Sequence, residues 1–442
     1  MKYLFLTPII LLVSSCNVEE KLGLTEKTRI PVQNSNPANC PKWQSGESIE
    51  ITQNTTIPKG CNYDKVSFIL QTSNTTFDCN GSIFNGLGKT KRNSFLLAYK
   101  KSEVPVITAF TINGSENNFT QNITVKNCDL RYYVNGFNVS FGLNQSTRNN
   151  LKNKQNVEAL ENHLRTLSPQ GIRIENTKIT GSHKAGIFVQ RYINGLTIDN
   201  VKIISAGTIG IYLESGTKNN TISNSMFTKN GETTYDIKNR IRKLRLRKRE
   251  AIAVDSSSHN KIINNTFINN SGGAIFIYKN CYERYTEAVQ LPRYQKSNFN
   301  LIQGNTFKGE PKGVWIASRQ SRDLENFDCG DPVIHETAKG KKKYYEDFAK
   351  NTSILNNIFD QVEKSIIIED DATTVSGNTF KGKTDDDIVI GTSIRSKYLN
   401  HPVTDTIIKD NIFNTNSTPH VSIKYDSKNT TFIGNTPHNP DK

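Results

Sequence analysis

Short stretches that alternate apolar and polar residues recur along most of this chain, and one unit can be followed almost to the C-terminus: an apolar residue, two or three polar residues that are often Asn, then Phe. It reads Ile222-Ser223-Asn224-Ser225-Met226-Phe227 and returns at Ile262 to Phe267, Ile302 to Phe307, Ile354 to Phe359, Val375 to Phe380 and Ile408 to Phe413. Weaker copies end at Leu130, Ile179 and Ile203. After most copies comes a second short apolar segment: Gly186-Ile187-Phe188-Val189, Gly210-Ile211-Tyr212-Leu213, Ala251-Ile252-Ala253-Val254, Ala274-Ile275-Phe276-Ile277, Gly313-Val314-Trp315-Ile316, Ser365 to Ile368, Asp387 to Ile390 and His420 to Ile423. Alternation of period two predicts strands with one face buried.

Where no insertion intervenes the unit repeats after about 21 to 24 residues, as from Ile179 to Ile203 to Phe227, which is a solenoid period. One such turn is too small to bury its own apolar face. Stacked turns share a core, Ile and Val touching the turns above and below, with Asn side chains laddered at the bends. With this repeat and the segment Asn74-Thr75-Thr76-Phe77-Asp78-Cys79-Asn80-Gly81, the sequence resembles the pectate-lyase-like right-handed parallel β-helix family from Ile49 to Asn435. The resemblance implies an all-β solenoid with a cleft framed by loop insertions. It selects no reaction, because that architecture hosts lyases, hydrolases, epimerases and adhesins.

The one long apolar run, Tyr3 to Val13 after Lys2, is too short to span a bilayer and sits where the core of a signal peptide belongs. It ends in Val13-Ser14-Ser15-Cys16, which resembles a bacterial lipobox and implies an exported lipoprotein lipidated on Cys16. Asn17 lacks the aspartate associated with inner-membrane retention, so an outer-membrane anchor is expected. An ordinary signal peptide is the alternative. Residues 1–15 then form the signal, 16–39 a polar tether and 40–442 a single β-helix domain. A hydrophobic content of 35% excludes a polytopic membrane protein, and 21 Phe with 16 Tyr argue against a disordered chain. Seven cysteines less Cys16 leave six, an even number suited to an oxidising compartment. Cys281 and Cys329 fall in insertions of adjacent turns and are expected to bridge. Cys40, Cys61, Cys79 and Cys128 supply two further bridges of open pairing.

Insertions at Gly142 to Pro169, Cys281 to Asn298 and Arg319 to Lys350 each follow the second strand of a turn, and Gly231 to Arg249 enters from the opposite end. Walls of that kind frame a cleft. The formal charge is +15, from 56 Lys+Arg against 41 Asp+Glu. It is concentrated in two of the insertions, at Lys238, Arg240, Arg242, Lys243, Arg245, Arg247, Lys248 and Arg249, and at Lys339, Lys341, Lys342 and Lys343. Nucleic acid would be attracted by such a field. An exported protein without a nucleic-acid motif meets acidic polysaccharide instead, so that polymer is the expected partner, with the membrane reached through the lipid anchor.

Inward Ile and Val in the second strands leave two outward columns. One holds Phe188, Tyr212, Ala253, Phe276, Trp315 and Ile367, an aromatic stripe suited to stacking on sugar rings. The other, at the strand ends, holds Gln190, Glu214, Asp255, Tyr278, Ala317, Glu369 and Gly391, followed by Arg191, Lys279, Arg319, Asp370 and Asp371. Turns are about 4.8 Å apart, which brings Glu214 near Asp255 and invites either a raised pKa or a cation. A salt-bridge ladder closing the strand ends is the alternative.

A β-elimination, in which a base takes the proton beside a uronate carboxylate, is the expected reaction; it needs that carboxylate neutralised and a base of lowered pKa. Resemblance to chondroitinase-B-like β-helix lyases implies calcium on Glu214 and Asp255, Lys279 as base with its pKa lowered by neighbouring cations, and Arg319 holding the carboxylate. Gln190, Arg191, Tyr212, Tyr278, Trp315 and Glu369 would line subsites. A related C5-epimerase, a polygalacturonase-like hydrolase and a non-catalytic glycan-binding lipoprotein are the alternatives.

Overall fold

Residues 37–86, 107–153, 156–236, 244–281, 291–320, 322–325, 327, 329, 331–337, 342–382, 386–414 and 421–438 are described by the structure, a computed structural model. Three sheets, each of twelve parallel strands, run along these residues, and every turn of the chain contributes one strand to each. The fold is the expected parallel β-helix. The apolar–Asn–Phe unit is one strand of the second sheet, a bend and one strand of the third, as in Lys261–Ile263 followed by Thr266–Ile268. The segment after it is a strand of the first sheet, as in Gly273–Tyr278.

The bend explains why the unit contains Asn. In Asn264-Asn265 the first residue has φ +56°, a left-handed conformation that Asn and Gly accept more readily than other residues. Gly304 takes the same place one turn on, where a Cβ would lie 2.4 Å from Asn264 Oδ1. The second Asn is buried, and its side chain satisfies backbone that the bend leaves unpaired. Asn265 Oδ1 accepts from the Ser225 amide (2.9 Å), Asn305 Oδ1 accepts from Asn265 N and Nδ2 (2.8 and 3.0 Å), and the pattern continues through Asn357, Asn378 and Asn411 to Asn435. Behind the ladder Phe227, Phe267, Phe307, Phe359, Phe380 and Phe413 stack face to face with ring centroids 4.6–5.1 Å apart. Burying each ring contributes about 1.5–3 kcal/mol. In the second sheet Ile222, Ile262, Ile302, Ile354, Val375 and Ile408 lie in register.

Three disulfides join Cys40 to Cys61, Cys79 to Cys128 and Cys281 to Cys329. The third ties two insertions together, as the sequence predicts, and the first two settle the pairing it left open. Among the insertions, helix α1 (Gln145–Lys152) begins at Asn144, whose side chain accepts from the Thr147 amide (2.8 Å), and helix α2 (Val157–Leu167) follows it. Glu232–Asp236 pairs antiparallel with Leu244–Lys248, and His335–Glu336 with Lys343–Tyr344. Cys16, the signal and most of the tether lie outside the described residues, as do Lys238, Arg240, Arg242, Lys243, Lys339 and Lys341.

A shorter ladder, Asn230–Asn270–Glu310, ends on a carboxyl. Glu310 Oε1 accepts from Asn270 N (3.0 Å) and Nδ2 (2.7 Å), while Oε2 is buried without a partner among the described residues. Burial pushes this carboxyl up to about 8. Because the folded pKa exceeds the unfolded one, the folded state binds the proton more tightly; the contribution to stability is complete below the ordinary carboxylate pKa and is lost as pH rises through about 8. Glu310→Gln, which keeps the acceptor and removes the titration, is expected to melt a few degrees above wild type near about pH 8, with the gap closing toward about pH 5. A gap that does not vary with pH contradicts this assignment.

Candidate functional site

Successive strands of the first sheet place Phe188, Tyr212, Ala253, Phe276, Trp315 and Ile367 in one register column on its outer face. The column is not open along its whole length. Ala253, Phe276 and Ile367 are buried, and Ile209, Ala253, Phe276 and Tyr278 form an apolar cluster outside the main core, with Tyr212 and Trp315 packed half-buried against it. Phe188, Tyr212 and Trp315 remain partly exposed, so the face is apolar but only partly closed. Phe188 stacks on Tyr212 with centroids 5.3 Å apart, and the Lys312 ammonium lies 5.4 Å from the centre of the Trp315 ring.

Glu214 and Asp255 end neighbouring strands, as expected, but positive charge from an insertion lies between them. Arg293 places Nη1 2.7 Å from Asp255 Oδ2 and Nη2 3.5 Å from Glu214 Oε1. Arg191 approaches Glu214 at 3.4 Å and donates to the carbonyls of Leu291 (2.8 Å) and Pro292 (3.0 Å). Asp255 is fully buried and also accepts from the Tyr212 hydroxyl, the Ser256 hydroxyl (3.0 Å), the Asn280 amide (3.0 Å) and Asn280 Nδ2 (3.1 Å). The repulsion anticipated between the two carboxylates is therefore compensated. Burial, then the Asp255 charge, raises the Tyr212 phenol above its ordinary range and keeps it protonated. Gln190 Nε2 donates to Asn138 Oδ1 (3.0 Å).

Lys279 goes elsewhere. Its ammonium is buried, pairs with Asp331 and donates to the Cys329 carbonyl (2.8 Å), inside the wall stapled by the Cys281–Cys329 disulfide. Its pKa is lowered, but by burial first; Asp331 opposes the shift, and the cation Lys296 adds less than either. The depression by neighbouring cations expected from the sequence is thus a minor effect. Lys279 and Arg319 are linked through the backbone: Asp347, buried and pushed up to about 7 by desolvation, accepts from the amides of Lys279 (2.6 Å) and Arg319 (2.7 Å).

The Arg319 guanidinium lies 4.9 Å from the centre of the Tyr278 ring. Tyr278 donates its hydroxyl to Glu250 Oε1 (3.1 Å) and accepts from Arg249 Nη2 (3.4 Å), while Arg249 forms a bidentate pair with Glu250 at 2.9 Å on each arm. Arg322, at the surface, feels the same group: local desolvation first, then Arg319, disfavours its charge. Two guanidiniums, those of Arg249 and Arg319, thus approach one tyrosine, with Glu250 paired to the first. Tyr278 stays protonated because burial, and then Glu250, raise its pKa.

Glu369 completes the row. Among the described residues its buried Oε2 has no hydrogen-bond partner, and desolvation, opposed by Trp315, pushes the carboxyl up to about 8, leaving it mostly neutral at pH 7. Beyond it, Asp370, Asp371 and Glu346 bring ligand oxygens within 4.8 Å of one another. Arg395 reaches Asp370 and Asp371 at 2.6 Å each, and Lys350 reaches Asp371 at 2.9 Å.

Of the candidates chosen from the sequence, the structure joins Tyr212 to Asp255, Arg191 to Glu214 and Arg319 to Tyr278, and it separates Lys279 from them by burying it with Asp331. Arg293, Glu250, Asp347 and Arg322 were missed. Three of these lie in insertions that carry no repeat, and Glu250 stands one residue before the first apolar position of its strand.

The protein-family model described as "right handed beta helix region" matches residues 108–329. No curated protein matches the sequence. Among solved structures the chain is similar to a mannuronic acid specific polysaccharide family 6 lyase from human gut microbiota, at 11% identity over 90% of this chain and 78% of that one, with TM-score 0.45. It is also similar to a periplasmic alginate epimerase (10%, 91% and 82%, TM-score 0.40) and to a surface adhesin of Streptococcus pneumoniae (11%, 86% and 82%, TM-score 0.44). Likeness at this level bears on the fold alone.

Proposed function

From a chain that belongs to the right-handed β-helix family, we propose a polysaccharide-active enzyme that takes an acidic, uronate-bearing glycan on the outer face of its first sheet and cleaves it by β-elimination. The observation that carries this reading is the approach of Arg249 and Arg319 to Tyr278, with Glu250 as the carboxylate beside them. Guanidiniums bind carboxylates in bidentate fashion. Neutralising the uronate carboxylate makes the neighbouring C–H acidic enough to lose its proton, the central demand of the reaction. In this reading Glu250 takes the Tyr278 hydroxyl proton as Tyr278 takes the proton beside the uronate carboxylate; the electron pair left on that carbon forms the C=C bond as the C–O bond to the glycosidic oxygen breaks, Tyr278 passes the proton to the leaving oxygen, and Glu250 returns its own to Tyr278. Lys279 is assigned to anchoring the stapled wall. No step passes through calcium, because the donors around Asp255 do not suit one.

Glycoside hydrolysis is a second reading, favoured by Glu369: a carboxyl neutral at pH 7 beside a half-buried Trp315 is the group a hydrolase uses as general acid. The two readings leave different products. Purified protein incubated with a panel of acidic glycans is expected to generate absorbance near 235 nm together with new reducing ends. Tyr278→Phe is expected to abolish that absorbance while retaining glycan binding, and Arg319→Ala to weaken binding about tenfold or more. Reducing ends without 235 nm absorbance, or an active Tyr278→Phe, overturns the elimination.

The lipobox-like segment supports an anchor: we propose lipidation of Cys16 and residence at the outer membrane. Metabolic labelling with palmitate in a bacterial host is expected to mark the wild type and not Cys16→Ala. Equal labelling of both, or labelling of neither, contradicts the anchor.

A further inference from the structure

A calcium ion needs six to eight oxygen ligands whose lone pairs face it. Around Asp255 the polar groups face the other way. Five hydrogen bonds arrive at its carboxylate, from Tyr212, Ser256, the Asn280 amide, Asn280 Nδ2 and Arg293. Asn280 cannot turn its oxygen toward the site, because Oδ1 is engaged by the Cys281 amide at 3.0 Å. The guanidinium itself lies where a cation shared by Glu214 and Asp255 would be, 2.7 Å from one and 3.5 Å from the other, on a side chain only 11% exposed.

We infer that Arg293 is a built-in replacement for a divalent cation: it bridges Glu214 and Asp255, makes the pair independent of metal, and thereby seats the 291–298 segment on the strand ends. The neighbours of Arg293 are arranged for that work. Leu291 and Pro292 offer their carbonyls to Arg191, the Tyr294 hydroxyl donates to the Leu151 carbonyl (2.5 Å), and Gln295 Nε2 donates to the carbonyls of Thr217 (2.7 Å) and Ser256 (3.0 Å). These bonds tie helix α1 and three successive turns to one segment, and the charged member in its middle is Arg293. The same chemistry recurs at Glu346, Asp370 and Asp371, where the buried Arg395 bridges both aspartates. At both acidic clusters a planar guanidinium meets two carboxylates at once, a task a lysine point charge performs poorly.

Arg293 is a positioning residue here, so the test reads metal binding and stability as well as activity. It uses the intact wild-type chain, Arg293→Ala and Arg293→Lys, with calcium chloride and EDTA as probes. For wild type the melting midpoint is expected to be the same in EDTA and in millimolar calcium, and calorimetric titration with calcium to show no saturable heat. Arg293→Ala is expected to melt several degrees lower and to regain part of the loss in calcium but not in sodium chloride of matched ionic strength. Arg293→Lys, which keeps the charge, is expected to fall between the two in EDTA. Saturable calcium binding by wild type that Glu214→Gln removes overturns the inference, and this arm holds even where Arg293→Ala does not fold. So does an Arg293→Ala protein that melts like wild type, or one that is destabilised with no response to calcium. The outcome is independent of which glycan, if any, the protein cleaves.

Discussion

Backbone hydrogen bonding between successive turns is the constraint on which everything else in this molecule depends. It holds each strand about 4.8 Å above the last and places equivalent residues directly over one another. A residue type that suits one turn then suits the next, which is why Phe stacks on Phe and Asn on Asn across several turns. The stacking also concentrates risk. A buried amide ladder is stabilising when every member has a partner, and a single mismatch leaves a polar group without one. Glu310 is such a mismatch: it closes its ladder with one oxygen and strands the other.

The same register creates the outer face. Side chains between the inward Ile and Val positions form columns whether or not they have a common purpose, and here the columns combine an apolar stripe with a row of acids. Part of the stripe packs into a small cluster of its own, and arginines brought by the insertions or by neighbouring strands pair with several of the acids. Arg293 and Arg395 each bridge two carboxylates, and Arg249 forms a bidentate pair with Glu250. Around Tyr278 the Arg319 guanidinium lies against the ring and Arg249 pairs with Glu250. In the proposed function it is this place, more than the overall charge of +15, that an acidic polymer would meet.

How much of this was legible in the sequence depends on whether a residue belongs to the repeat. Ile262, Asn264, Asn265 and Phe267 announce their roles because the same residue types return one turn later, and the outer column from Phe188 to Ile367 follows from strand alternation alone. The bridge between Cys281 and Cys329 was readable from their places in adjacent insertions. Lys279 was misread because its position at a strand end says where its Cα lies and not where four methylenes carry the ammonium; Asp331, in a segment without periodicity, decides that. Arg293 was invisible for the same reason. Insertions are where the solenoid stops repeating, so pattern analysis has least to say about the part of the chain that supplies the charge.

The central claim is that an acidic glycan is received by the arginines around Tyr278 on the first sheet. A crystal structure of the protein soaked with an acidic oligosaccharide tests it most directly. The account predicts a sugar chain on the outer face of that sheet, with a uronate carboxylate within hydrogen-bonding distance of Arg319 and Arg322 and the Tyr278 hydroxyl near the adjoining carbon. An oligosaccharide ordered on another face, with these arginines still paired only within the protein, would contradict it.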